Sequence, residues 1–183
     1  MKTILVIALL VTLAACNSPE PAKTDATTTS TDSTVQVQDI SSPYQISYSS
    51  KFVMGDPKNA ESVLTLWKDW DNGNLSAHKE MFADSVEMHL ADGSMIHSTR
   101  DSVVASGQVY RNMFATVVSS VDAVMAVKST DKDENWALIW GKEIDTEKNN
   151  KTDSVYLNEN WMFNKDGKIA YMSQFHAIPA KAK

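Results

Sequence analysis

The sequence contains a single cysteine, Cys16, and has no cluster of lysine and arginine residues. One thiol cannot form an intramolecular disulfide or a multi-cysteine metal site. The 17 basic residues are outnumbered by 23 acidic ones, which gives a formal net charge of −6. Because nothing in such a chain would neutralise phosphates, we expect no nucleic-acid partner. The chain also lacks a glycine-rich phosphate loop and a nucleophile elbow, so we predict no cofactor.

Residues 1–15 have the composition of a bacterial export signal that ends at a lipidated cysteine. Lys2 supplies the positive charge, residues 4–11 supply a short apolar core, and Ala14 and Ala15 are the small residues that precede the cleavage site before Cys16. The apolar run is shorter than the roughly 20 residues that a membrane-spanning helix needs. We therefore predict an exported lipoprotein that is anchored to the membrane by acyl chains, such as palmitate, on Cys16.

Residues 16–42 are mostly serine, threonine, aspartate, proline and alanine, and we expect them to form a disordered tether. Asn17 stands where some Gram-negative lipoproteins carry the aspartate that retains them in the inner membrane. The outer membrane, on its periplasmic side, is therefore the favoured location. Residues 43–55 show alternation, with Tyr44 and Ile46 as apolar positions, which predicts an edge strand or an ordered arm.

Residues 56–178 carry the patterns of one α+β domain, followed by a tail at residues 179–183. Asp56 and Pro57 are typical of a helix start, and the apolar spacing predicts a helix to about Asp71. We expect a second short helix, then a hairpin with an Asp92-Gly93 turn, and then a third helix that carries Tyr110, Phe114 and Val117. Four antiparallel strands follow, at residues 121–128, 135–145, 153–163 and 168–177. Such an order places the helices on one face of the sheet.

Several short motifs of this domain resemble the NTF2-like superfamily, specifically its SnoaL-like members. They are Trp70-Asp71-Asn72-Gly73-Asn74, Phe82-Ala83-Asp84-Ser85-Val86, Asp92-Gly93 and the closing segment from Trp161 to Ile169. The resemblance implies a cone, in which a curved antiparallel sheet wraps around three helices and encloses a central pocket. Because this cone serves isomerases, dehydratases, cyclases, hydrolases and non-catalytic binding proteins, the resemblance implies no single activity.

The ketosteroid-isomerase pattern of that superfamily can be compared with the chain residue by residue. Its proton-abstracting aspartate corresponds to Leu90, and its oxyanion-donating tyrosine corresponds to Leu66. Neither leucine can transfer a proton or donate a hydrogen bond, which argues against this chemistry. A shift of one residue would bring His89 or Trp67 to the same places.

Glu159 is the strongest candidate for a catalytic group. Strand alternation places it on one face with Val155, Leu157, Trp161 and Phe163, where it is the lone acid. A carboxyl group in such surroundings is expected to have a raised pKa, which suits general acid or base catalysis. The alternative is that Glu159 lies at the mouth of the cone, where it is solvated or paired with a basic residue.

His89 and Asp84 are the other catalytic candidates. Asp84 also has a structural interpretation, because aspartate at the start of a strand often binds nearby backbone N–H groups. His89, His97 and His176 match no zinc-binding spacing, so we predict no metal site.

Seven aromatic residues are the predicted lining of the pocket, and aromatic side chains would fill such a space even without a ligand. They are Trp67, Trp70, Tyr110, Phe114, Trp140, Trp161 and Tyr171. We expect Trp136, Leu138 and Trp140 to face inward. The opposite sheet face would then expose Met125, Val127, Ala137, Ile139, Met162 and Met172. That apolar face predicts a homodimer, unless the 43–55 arm covers it.

Three functional hypotheses follow from the sequence. The favoured one is a membrane-anchored protein that binds a small apolar or aromatic molecule in its cone. The second is an acid/base isomerase, dehydratase or cyclase that uses Glu159 with His89 or Asp84. The third is a dimeric scaffold in which the lipid and the outer sheet face matter more than the cavity.

Overall fold

A computed structural model describes residues 40–179 of the chain. The predicted export signal, Cys16 and most of the predicted tether lie outside these described residues, as do residues 180–183. No helix in the described part is long and apolar enough to cross a membrane.

The described chain contains two α-helices and seven strands. Helix α1 spans Pro57–Asn72 and helix α2 spans Arg100–Arg111. The strands are β1 Phe52–Met54, β2 Phe82–His89, β3 Met95–Thr99, β4 Phe114–Ser129, β5 Glu134–Glu147, β6 Thr152–Phe163 and β7 Ile169–Ala177.

All seven strands belong to one sheet, in the order β1-β4-β5-β6-β7-β2-β3. Every pair is antiparallel except β2 with β7, which run parallel, so the sheet is mixed. Shifts of register between Val121 and Ala123, and between Met162 and Phe163, help the long strands to curve. The predicted α+β class and the cone, with a curved sheet around helices, are confirmed, but the expected antiparallel sheet is corrected to a mixed one by the parallel pairing of β2 with β7.

Helix α1 has the ends that its sequence predicts. The Asp56 carboxylate accepts a hydrogen bond from the Lys58 backbone N–H at 3.0 Å, and Pro57 occupies the first turn. Gly73 closes the helix with φ of 68°, a left-handed conformation that glycine adopts without strain. The buried side of the helix carries Val63 and Trp67, which pack against the sheet.

The predicted second and third helices are corrected by the structure. The second is only a 3₁₀ turn at Lys79–Met81. Helix α2 ends at Arg111, and Phe114 and Val117 belong to strand β4. Apolar residues in this short run fit either period, and β-branched residues such as Val117 and Val118 favour the pleated strand.

The N-terminal arm contributes an edge strand, which is one of the two forms predicted for it. Strand β1 pairs with β4, with Phe52 opposite Ser129. Before the strand, the Tyr48 ring meets the edge of the Trp136 ring, with centroids 5.8 Å apart. The arm therefore covers part of the sheet face that points away from the helices, called the outer face below.

The predicted faces of strand β5 were inverted. Ala137 and Ile139 are fully buried on the inner face, toward the helices, whereas Trp136, Leu138 and Trp140 are only half-buried on the outer face. Gly141, the next inward-facing residue of β5, explains this inversion. A β-carbon there would lie 2.8 Å from the Trp67 ring, so the strand presents small residues to a large helical side chain. Met172, also predicted to face outward, is buried in the core as well.

Candidate functional site

A cavity of about 740 Å³ lies between the inner face of the sheet and the two helices. It is called the cone cavity below. Its wall is mainly apolar, and its size is within the range of small-molecule binding sites. The apolar side chains that line it include Leu66, Phe82, Met88, Val103, Val104, Leu157, Trp161 and Met172.

Glu159 lies in the wall of this cavity and is buried. Its Oε2 accepts hydrogen bonds from the indole N–H groups of Trp67, at 2.7 Å, and Trp161, at 3.0 Å. Its Oε1 accepts a hydrogen bond from Gln174 Nε2 at 2.8 Å. Burial raises the pKa of the Glu159 carboxyl, and these three donors partly oppose the rise.

Two further acids, Glu143 and Asp145, line the cavity at alternate positions of β5. Burial and then the charge of Asp145 raise the pKa of Glu143 from its ordinary 4.5 to about 8. The pKa of Asp145 is also raised, chiefly by burial, although its hydrogen bonding with Glu143 and the charge of Arg111 oppose the rise. At neutral pH the pair therefore carries a proton that two separate surface acids would have lost.

The Glu143–Asp145 pair lies nearer the β5–β6 turn than Glu159 does. In the β5–β6 register, Ile139 is opposite Glu159, Gly141 is opposite Leu157, and Asp145 is opposite Asp153 close to the turn of the hairpin. The inner face of β5 thus changes from apolar residues to acids along its length.

Asp69, like Glu159, is a buried acid of the cavity wall. Its Oδ2 lies 2.8 Å from Nδ1 of the partly exposed His78. Neither residue was singled out from the sequence. Asp69 follows Leu66 by three residues, so it falls within the buried stripe of α1, and an acid in such a stripe is the signal that could have identified it.

Three aromatic residues form a corner of the cavity. The Trp70 and Tyr110 rings are stacked with centroids 6.1 Å apart, and Tyr110 meets Phe114 edge to face at 5.5 Å. Burial raises the pKa of Tyr110, and the charges of Asp145 and Glu143 raise it further. The negative charge of the acid pair therefore acts directly on this aromatic corner.

Of the seven predicted lining residues, five line the cone cavity: Trp67, Trp70, Tyr110, Phe114 and Trp161. Trp140 and Tyr171 do not. Trp140 is on the outer face, and Tyr171 meets Trp136 and His89 there in edge-to-face contacts, with centroids 5.9 and 5.0 Å away. A register irregularity between Phe82 and Glu87, in the pairing of β2 with β7, accompanies this outward placement of Tyr171.

The three predicted catalytic residues are not brought together. His89 is on the outer face, where its Nε2 lies 2.6 Å from Glu87 Oε1. Asp84 is exposed and forms an ion pair with Arg100. Glu159 alone among the three lines the cavity.

Leu66 and Leu90, which correspond to the ketosteroid-isomerase groups, both line the cavity. Of the two residues that a one-residue shift would bring to these places, Trp67 lies in the cavity wall and His89 does not. Within residues 40–179, no group of three or more acidic, histidine or cysteine side chains is arranged to hold a metal ion.

No protein-family model matches this chain, and no curated protein matches it in sequence. Solved structures match it in shape. An NTF2-like protein of unknown function from Burkholderia pseudomallei K96243 is 16% identical with a TM-score of 0.53, over 65% of this chain and 90% of that one. The fold is NTF2-like. A LEH-like epoxide hydrolase from M. tuberculosis is 8% identical with a TM-score of 0.54, over 66% of this chain and 83% of that one.

In this NTF2-like fold the cone cavity brings several acidic side chains together. The cavity has an apolar region that contains Glu159, the Glu143–Asp145 pair nearer the β5–β6 turn, and the aromatic corner of Trp70, Tyr110 and Phe114. Glu143 and Asp145 were missed from the sequence because the wrong assignment of the faces of β5 put them on the outer face. The signal that could have identified them is Gly141, since a glycine in a central strand often marks a close approach by another element.

Proposed function

We propose that this protein binds a small, largely apolar molecule in its cone cavity. The observation that carries the proposal is a cavity of about 740 Å³ whose wall is mainly apolar, with polar residues at a minority of its lining positions. Such a combination is typical of small-molecule sites, in which apolar area supplies affinity and a few polar groups set orientation. Glu159 is the buried polar group that would orient the ligand, because three N–H donors hold its carboxyl group in one position.

Native mass spectrometry of the full-length chain, purified gently from its own host, tests this proposal. We expect a non-covalent adduct of small-molecule mass. The Val104→Trp variant should lose the adduct, because Val104 is a buried cavity residue of α2 and a larger ring would occupy the ligand space. Val118→Trp is the matched control, since Val118 is exposed on β4. An adduct that persists in Val104→Trp would place the ligand elsewhere and contradict the proposal.

A second candidate function is acid/base catalysis by Glu159. Burial, which raises the pKa of this carboxyl, favours it, because general acids and bases are commonly carboxyl groups with a raised pKa. If the retained molecule is a product, Glu159→Gln should lower its formation by at least about 100-fold without lowering the melting temperature. Unchanged product formation would leave Glu159 a binding residue only.

We also propose that Cys16 anchors the protein to a membrane, with the outer membrane favoured. The support is the composition of residues 1–15. Growth with labelled palmitate should label the wild type and the Ser18→Ala control, whereas Cys16→Ser should remain unlabelled. Labelling of Cys16→Ser would overturn the anchor.

A homodimer through the outer sheet face is a further proposal. Its support is the row of apolar outer residues, which includes the exposed Met125 and Phe175. Sedimentation of the wild type should give the dimer mass, and Met125→Lys should give the monomer. Val109→Lys, at an exposed position of helix α2, should leave the dimer unchanged. A monomeric wild type would remove this proposal.

A further inference from the structure

We propose that the ligand of the cone cavity carries a positively charged amino group, which lies among Glu143, Asp145 and the aromatic rings of Trp70 and Tyr110. This inference rests on the proposed ligand-binding function and names the ligand's chemical class: an amine with an apolar or aromatic body.

The charges that line the cavity all point to this class. Among the described residues, the wall contains no lysine or arginine, whereas seven acids line it: Asp69, Asp92, Glu143, Asp145, Glu147, Asp153 and Glu159. Of the wall residues that the structure describes, His176 alone is basic. A carboxylate or phosphate on a ligand would therefore be repelled, while an ammonium group would be attracted.

Most of these acids have a protein donor or cation as partner, whereas Glu143 and Asp145 chiefly have each other and form no ion pair among the described residues. Asp69 is paired with His78, Glu147 with Lys151, and Glu159 accepts three hydrogen bonds. Within the described residues, Asp145 Oδ1 is buried and has no hydrogen-bond partner. A buried acceptor without a donor is costly, so a donor supplied by a ligand is favoured at this point.

The nearest protein cation does not fill that role. Arg111 is buried behind the acid pair, but its N–H groups donate to the backbone carbonyls of Trp70, Asp71 and Phe114. Its charge lowers the pKa of Asp145 without forming an ion pair within the described part of the chain.

The aromatic corner is suited to the same group. A cation over the face of a tryptophan or tyrosine ring gains cation–π attraction, and Trp70 and Tyr110 line the cavity beside the acids. The Trp70 indole N–H is close enough to Glu143 to lower the pKa of that carboxyl, although it makes no hydrogen bond of normal geometry. Acids and rings together form a binding place for an ammonium group, with the apolar region left for the rest of the molecule.

Three probes with the same ring system test the inference: 1-naphthylmethylamine, the neutral 1-naphthalenemethanol and the anion 1-naphthoate. Binding is measured by calorimetry on the full-length chain in zwitterionic nanodiscs, with empty nanodiscs as the blank. We expect the amine to bind at least about tenfold more tightly than the alcohol, and the anion to bind weakest. The double variant Glu143→Gln/Asp145→Asn should lose this preference while it still binds the alcohol. Glu61→Gln, at an exposed acid of helix α1 outside the cavity wall, should keep the preference.

A second readout separates a direct contact from a general loss of structure. Because the acid pair holds a shared proton near neutral pH, the arriving ammonium group should displace it, and the heat of binding should then depend on the ionisation enthalpy of the buffer. The double variant should show no such dependence. Equal affinity for amine and alcohol, or a preference that survives the double variant, overturns the inference but leaves the apolar site intact. Failure of all three probes to bind, together with a wild type that retains no molecule, overturns the proposed function as well.

Discussion

Gly141 of β5 and Trp67 of α1 are in direct contact at the point where the helix meets the sheet. A β-carbon on Gly141 would lie 2.8 Å from Trp67 Cζ3 and 2.3 Å from the backbone oxygen of Ser120. The same tryptophan donates its indole N–H to Glu159. The absence of one side chain on the strand therefore fixes the position of a donor in the cavity wall.

Gly141→Ala should destabilise the protein by about 2–3 kcal/mol, because the new β-carbon meets rigid backbone as well as the tryptophan ring. Urea denaturation measures the change. Gly107→Ala is the matched control: its β-carbon would meet only the flexible end of the Leu75 side chain, and alanine favours the helix. We expect the control to lie within about 1 kcal/mol of the wild type. Equal losses in both variants would contradict this account of Gly141.

Replacement of Glu159 should distinguish its hydrogen bonds from its charge. Glutamine can keep an oxygen toward the two indole N–H groups, and Gln174 can turn its amide to pair with the new NH₂. Leucine leaves all three donors unpaired. We expect Glu159→Leu to be less stable than Glu159→Gln by about 1–3 kcal/mol in urea denaturation. Equal stability would show that water satisfies these donors.

Glu143 should make the protein less stable as the pH rises. Its folded pKa of about 8 exceeds the ordinary 4.5, so the folded state holds the proton more tightly. The contribution is complete below about pH 4.5 and is lost as the pH rises through about 8, with a slope of at most about 1.4 kcal/mol per pH unit. Glu143→Gln should remove this part of the decline, which urea denaturation at about pH 5, 6.5 and 8 would show.

The acids around Glu143 determine how much pH dependence of stability remains in the Glu143→Gln variant. Asp145 and Glu159 also have raised pKa values, so a shallower decline should persist, while Asp71 acts on Glu143 only through its charge. Glu147→Gln serves as the control, since this acid is paired with Lys151 near the hairpin turn. A wild type and a Glu143→Gln variant that change in parallel with pH would contradict the assignment.

Arg111 should be essential to the stability of the corner that holds Trp70. Its guanidinium donates to Trp70 O at 2.6 Å and Asp71 O at 2.9 Å, which satisfies carbonyls at the end of α1, and to Phe114 O of β4 at 3.3 Å. Lysine cannot reproduce this planar fork, so Arg111→Lys should cost about 2–3 kcal/mol. Thermal or urea unfolding measures it. Arg100→Lys, in the partly exposed pair with Asp84, should cost less than about 1 kcal/mol.

The sequence was sufficient for the class of fold and for most strand positions, because long alternating runs and strong turn residues leave few alternatives. Strand β6 illustrates this, since its alternation placed Glu159 on the same face as Leu157 and Trp161. The end of α2 was not predictable in the same way, because Phe114 and Val117 suit either a helix or a strand.

The candidate site depended on contacts that no local pattern contains. The sizes of Trp136 and Trp140 suggested that they face the core, yet Trp67 from α1 fills that space and requires Ala137, Ile139 and Gly141 instead. This inversion hid Glu143 and Asp145. Likewise, the pairing of Asp69 with His78 joins a helix to the turn beyond it, which periodicity alone does not reveal.

The register of the long β5–β6 hairpin determines which charged side chains of β5 face the cavity. Lys142 and Glu143 are neighbours in the chain, and the pleat sends the lysine to the outer face, over the Tyr156 ring, and the acid inward. A slip of one residue along this hairpin would turn Lys142 and Ile144 inward and both acids outward. A one-residue deletion beside Gly141 would thus remove the acid pair from the cavity and add a lysine, which would weaken the attraction for cations with almost no change in composition.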